Sequence, residues 1–120
     1  MTDTRDKAME LSERMIDFSI SIISLTKHLA SNVENKIIIH QIIRSATSVG
    51  ANYSEANNAS SKQDFRNKIF IAKKEVAETR YWLDIPQRVN QNIGTSSVRD
   101  ECLQILMILQ KIVSTMKNAQ

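Results

Sequence analysis

Few side chains in this 120-residue chain have a type and spacing suited to chemistry. The two histidines, His28 and His40, fall on different predicted helices, and neither has a carboxylate or thiol at motif spacing. Cys102, the single cysteine, lies on a predicted core stripe, where a free thiol behaves as a small hydrophobe. Being alone, it also excludes an internal disulfide. Glu75 and Glu78 share a helix face and suggest metal ligands. Metal sites in helical bundles, however, pair a Glu with a His three residues on, from two helices, and neither histidine is so placed. No glycine-rich phosphate loop is present. The expectation is a non-enzyme with no catalytic residues, no metal and no cofactor.

Charge is the other candidate chemistry. The formal net charge is only +3, but residues 62–93 hold seven basic side chains against four acidic ones, and this segment can supply the whole excess. At 100° per residue, Lys62, Arg66, Lys73 and Arg80 fall within about 40° of arc on one edge of a helix, over about 27 Å. Lys68 and Lys74 point elsewhere. Such a row can track several phosphates by charge, with little sequence preference. Equally, basic residues beside a core stripe pair with acids on a neighbouring helix or subunit. Glu10, Glu13, Asp17 and Glu55 are the available partners, and spacing leaves both readings open.

These residues need helices to position them. Two Gly, one Pro and 5% aromatic residues are too few turn-formers and sheet-formers for a β protein. The first helix is expected to start near Asp3 or Thr4, either of which can cap it, and to break at Ser31–Asn32. Its core stripe is Ala8, Leu11, Met15, Phe18, Ile22, Leu25 and Leu29, with Ile16, Ile20 and Ile23 as a second stripe beside it. The second helix is predicted over 35–58, with Ile39, Ile42, Ala46, Val49, Tyr53 and Ala56 facing inward. The β-branched run 37–43 has strand character, but no turn signal bounds it and the helical pattern runs through it. Ser61 and Asp64 make a capping box for the third helix, with Phe65, Ile69, Ala72, Val76, Thr79 and Leu83 inward. Pro86 is expected to kink or end that helix, leaving 87–92 frayed. Gly94-Thr95-Ser96 is the clearest turn, and Ser97 is expected to cap a fourth helix with the stripe Val98, Cys102, Ile105, Leu109, Ile112 and Met116.

The fold expected is therefore all-α, an up-and-down four-helix bundle forming one domain over residues 1–120. No stretch approaches 18 consecutive apolar residues, and the N-terminus lacks an apolar signal segment, so the reading is a cytoplasmic, bacterial-type protein. The third helix carries surplus apolar faces. Phe70, Ala77 and Tyr81 lie on one, and Ile71, Trp82 and Ile85 on another, which points to self-association. On the second helix, Arg44, Ser48, Asn52 and Glu55 align opposite its core stripe. They form either a solvated face or a site of close approach for another backbone.

Two segments carry a family resemblance. Arg44-Ser-Ala-Thr-Ser-Val-Gly-Ala-Asn-Tyr-Ser-Glu55, with Ser61-Lys-Gln-Asp-Phe-Arg-Asn-Lys68, is the first; Ile71-Ala-Lys-Lys-Glu-Val-Ala-Glu-Thr-Arg-Tyr-Trp-Leu83 is the second. Together they resemble the bacterial four-helix-bundle proteins encoded in intervening sequences of large-subunit ribosomal RNA genes. The chain departs from the pattern at Ala56, where the family often has Gly, and at Pro86, where an unbroken helix is expected. The resemblance implies a homopentameric ring around a central channel. It also implies likeness to accessory subunits of diversity-generating retroelements, which bind nucleic acid and a reverse transcriptase. Taken together, the expectation is a non-enzymatic, homo-oligomeric scaffold that binds RNA or DNA through Lys62, Arg66, Lys73 and Arg80. Its subunit contacts are expected at Arg44, Ser48, Asn52, Glu55, Phe70, Tyr81 and Trp82. The alternative is a protein-interaction adaptor without nucleic-acid binding.

Overall fold

The computed structural model describes residues 3–89 and 93–118. Four helices account for nearly all of them: α1 (Asp3–Thr26), α2 (Val33–Asn57), α3 (Lys62–Val89) and α4 (Ser96–Asn118). No strand occurs among the described residues, and the β-branched run 37–43 is helical. The capping roles expected of the Asp3 and Thr4 side chains lie outside what is described. Each helix packs on its neighbours in sequence and α4 closes lightly on α1, so α1 and α3 stand on one diagonal of the bundle and α2 and α4 on the other. The body is a rod of 47 × 26 × 21 Å.

Helix ends differ from expectation where local hydrogen bonds decide them. α1 stops at Thr26, and its last turn tightens through i→i−3 bonds from Lys27, His28 and Leu29 to the carbonyls of Ser24, Leu25 and Thr26, at 3.1–3.3 Å. α2 begins at Val33, because the Asn32 side chain accepts from the Asn35 amide at 2.8 Å. The capping box is present: Ser61 Oγ accepts from the Asp64 amide at 3.0 Å, and Asp64 accepts from the Ser60 amide at 3.3 Å. α4 begins at Ser96 and not after a Ser97 cap. Buried Thr95 stands at the cap position, and its carbonyl accepts from the Arg99 amide at 2.9 Å.

Pro86 does not end α3, which continues to Val89. Of the expected frayed stretch, 87–89 is helical and 90–92 lies outside the described residues. The missing proline N–H removes one helical bond, and two features offset the loss. Pro86 is itself buried. The post-proline turn is also tied to α4: Thr95 Oγ1 donates to Gln87 Oε1 at 3.0 Å, and Arg99 pairs with Asp84.

The core follows the stripes. Met15, Phe18 and Ile22 of α1 meet Ile42, Ala46 and Val49 of α2, Ile69, Val76 and Leu83 of α3, and Ile105 and Leu109 of α4, all essentially inaccessible to solvent. Ile38 replaces Ile39 on the buried side of α2, and Val113 replaces Ile112 on that of α4. One polar pair is enclosed with them: Thr79 Oγ1 lies 2.8 Å from Ser45 Oγ and 2.8 Å from the Glu75 carbonyl, so both hydroxyls are satisfied. The second stripe of α1 does not join the core. Ile16, Ile20 and Ile23 face solvent. No helix among the described residues is long and apolar enough to cross a membrane.

Gly50 marks a close approach of α1 to α2, since a Cβ placed there would stand 3.2 Å from Met15 Cβ. Replacing it sets a gain in helix propensity of about 1 kcal/mol against this contact. Gly50→Ala is expected to change stability by less than about 1 kcal/mol, and Gly50→Leu to lower it by about 1–3 kcal/mol through overpacking. Urea unfolding followed by circular dichroism measures both.

Candidate nucleic-acid interface

α3 carries the basic row along the edge that faces α4. That edge is fixed by two contacts on either side of Arg80: Cys102 Sγ reaches the Val76 carbonyl at 3.2 Å, and Arg99 of α4 holds Asp84. Lys62 and Arg80 are exposed, whereas Arg66 and Lys73 are half-buried. Arg80 and Arg99 both lie near enough to the Cys102 thiol to favour its ionised form. Burial outweighs them and pushes the thiol up to about 12, which leaves it a core atom and not a nucleophile.

Most other cations near the helix seams are already committed. Arg14 holds Glu101 at 2.6 Å across α1 and α4. Lys68 holds Glu55 at 2.8 Å across α3 and α2. Arg44 reaches from α2 to Glu75 at 3.2 Å and also to Glu78. Lys62, Lys73 and Arg80, by contrast, have no ion-pair or hydrogen-bond partner among the described residues. Of the acids expected to neutralise the row, Glu55 serves Lys68 instead. Glu10, Glu13 and Asp17 sit on α1, across the diagonal from α3, and none of them forms an ion pair with the row among the described residues.

The residues expected at subunit contacts divide into three groups. Arg44, Glu55 and Trp82 lie in the seam between α2 and α3. Trp82 Nε1 donates to Glu78 Oε2 at 2.9 Å, and the Arg44 guanidinium adds Gln41 Oε1 at 3.0 Å. The pairing of Arg44 with Glu75 and Glu78 escapes sequence reasoning, which treats the three residues separately. The available signal is that they lie at near-equal distances from the turn at 58–61, as facing residues of an antiparallel hairpin must. Ser48 and Asn52 bond back to their own helix, donating to the carbonyls of Arg44 at 2.7 Å and Ser48 at 2.8 Å. Phe70 and Tyr81 stay exposed on the outer face of α3, with the Tyr81 ring edge-on to Trp82 at 5.1 Å.

Among the described residues no group of three or more His, Cys, Asp or Glu is arranged to hold a metal ion. Glu75 and Glu78 are occupied by Arg44 and Trp82, so the chemistry the site offers is electrostatic. Exposed Lys62 and Arg80 and half-buried Arg66 and Lys73 give this edge of α3 a positive character.

Residues 7–113 match the sequence profile of 23S rRNA-intervening sequence proteins. A protein of unknown function from the S23 ribosomal protein family of Bacteroides thetaiotaomicron has a similar solved structure. It is 35% identical, covers 90% of this chain and 98% of its own, and superposes with a TM-score of 0.79. No curated protein matches. The comparisons give no support to the expected likeness to accessory subunits of diversity-generating retroelements.

The Trp82 hydrogen bond, and then Arg44, hold the Glu78 carboxyl below the usual carboxylate range. A carboxylate depressed in the folded state stabilises the fold above its unfolded pKa of about 4.3 and loses that stabilisation as pH falls through the folded value. The advantage of wild type over Glu78→Gln is therefore expected at pH 7, on the order of 0.5 kcal/mol after solvent screening. It is expected to vanish by about pH 3. Thermal melts of the two proteins across that range measure it.

Proposed function

The chain belongs to the 23S rRNA-intervening sequence protein family, and from that premise we propose that it is a non-enzymatic, self-associating helical scaffold that binds the phosphate backbone of RNA. Lys62, Arg66, Lys73 and Arg80 form the contact row. Self-association brings several rows into one particle, five if the ring implied by the family resemblance holds, and so raises the avidity of individually weak contacts.

The observation that carries this reading is the lack of partners for Lys62, Lys73 and Arg80 among the described residues. A basic row used for structure would hold carboxylates of a neighbouring helix, as Lys68 does with Glu55 of α2 and as Arg99 of α4 does with Asp84 of α3. These three cations are offered outward, at a spacing that suits a charged strand. Arginine adds a planar, bidentate grip on phosphate, and lysine a mobile point charge. The edge has no protruding loop to enter a groove and read bases, so recognition is by charge and shape.

The test is binding of nuclease-treated protein to a labelled structured RNA over a salt series. Micromolar or tighter affinity is expected at low salt, with log K falling linearly in log salt by about 0.7–0.9 per phosphate engaged. Lys73→Glu combined with Arg80→Glu is expected to lower affinity by at least about tenfold and to flatten the slope. Neither residue makes an internal bond, so helicity and particle mass should hold. Absence of binding at low salt would sink the reading and leave a protein-interaction adaptor.

A further inference from the structure

The lightest packing in the bundle, that of α4 on α1, leaves a cleft at one end. Arg14 sets the register there: its guanidinium donates to Glu101 Oε1 at 2.8 Å and to Gln104 Oε1 at 2.7 Å. With α1 and α4 antiparallel in an up-and-down bundle, Leu11 and then Lys7 come opposite Ile108 and then Ile112. Beyond the Arg14 clamp these side chains bound a cleft of about 550 Å³, closed on its inner side by Tyr53 of α2 and Phe65 of α3. Small-molecule sites are clefts of about 300–1,000 Å³ with mostly apolar walls and a few placed polar groups, and this one has that form.

One polar group inside it is unspent. Lys7, Glu10 and Asn57 are exposed at the mouth, and Arg14 is committed to the clamp. Tyr53 alone among the polar lining residues is buried, at 5% exposure. A buried tyrosine hydroxyl usually finds a partner, yet that of Tyr53 makes no hydrogen bond among the described residues. No described side-chain oxygen that is shut away from solvent lacks a partner, so this hydroxyl is not sealed in the core. It opens where Tyr53 lines the cleft. The charges around the mouth favour neither sign of ligand. Lys7 and Glu10 stand three residues apart on α1 without ion-pair partners among the described residues, and exposed Asp6 and Lys111 beside the cleft are also opposite in sign.

We propose that this cleft binds a small uncharged molecule, apolar or aromatic in body, with one hydrogen-bonding group that meets the Tyr53 hydroxyl. The body packs on Leu11, Phe65, Ile108 and Ile112. The hydroxyl both donates and accepts, so a carbonyl, an amide or an N–H of the ligand serves equally. A water molecule in the same place has apolar walls on most sides, where about two to four polar partners are wanted, and a ligand that adds apolar surface displaces it at a gain. The site uses none of Lys62, Arg66, Lys73 and Arg80, so it stands apart from the RNA reading.

N-phenylnaphthylamine, an uncharged probe with one N–H whose fluorescence rises in apolar surroundings, tests it by titration into the full chain. Wild type is expected to bind saturably, with a Kd on the order of 10 μM that does not change with salt. Tyr53→Phe removes only a hydroxyl without an internal bond. It is expected to keep helicity and melting temperature and to weaken binding about three- to tenfold, as the loss of one hydrogen bond does. Ile108→Glu places a charge in the half-buried apolar wall and is expected to abolish binding. Backbone amide shifts in wild type are expected to change at 7–14, 53 and 108–112. No fluorescence enhancement (the result if a second copy covers the cleft), equal affinity in Tyr53→Phe, a steep salt dependence, or amide shifts centred elsewhere overturns the proposal.

Discussion

Sequential winding of the bundle decides which charges can meet. The backbones of successive helices pack against one another and α4 closes lightly on α1, so α2 and α4 are the helices that flank α3. The ion pairs obey this rule. Arg44 and Lys68 pair across α2 and α3, Arg99 and Asp84 across α3 and α4, and Arg14 and Glu101 across α1 and α4. The acids Glu10, Glu13 and Asp17 belong to α1, across the diagonal from α3. Topology, more than the modest net charge, places these acids and the basic row on different helices of the bundle.

The α2–α3 seam shows how polar residues are used when they can be satisfied. Ser45 and Thr79 are buried without cost because each hydroxyl finds a partner. Around them Arg44 bridges Glu75 and Glu78, and Trp82 caps Glu78. Each ion pair is partly solvated and worth at most about 1 kcal/mol. Their stronger effect is on register: sliding α3 by one residue would bury Glu75 or Glu78 away from Arg44 and leave Thr79 without Ser45, at the cost of desolvated, unpaired polar groups. The two longest helices are thus locked in one alignment.

The helical fold was legible because its signals are repetitive and local. The three-four spacing through Met15, Phe18 and Ile22 or Ile69, Ala72 and Val76 states a buried face whatever it packs against, and Ser61 with Asp64 states a helix start. The errors fell where a distant contact overrides a local rule. Pro86 should have stopped α3, but its burial and the bonds from Thr95 and Arg99 hold the next turn. The second stripe of α1 was visible beside the first, but spacing left its surroundings open, and only the positions of α2 and α4 show that Ile16, Ile20 and Ile23 stay exposed among the described residues. The basic row could be placed on a helix edge from spacing. Whether it was neutralised depended on which helix lay beside it, and no period in the sequence encodes that.

Apolar and charged side chains are spread unevenly over the outside of the bundle. Ile16, Ile20 and Ile23 are exposed on α1 with Glu10, Glu13 and Asp17 on the same helix, and Phe70 and Tyr81 are exposed on α3 with Lys74 on the same helix. Covering either apolar stripe would be favourable by burial, but like charges brought together beside it would oppose that gain at short range. The charges beside a stripe therefore limit what can cover it, even though the apolar side chains alone do not discriminate.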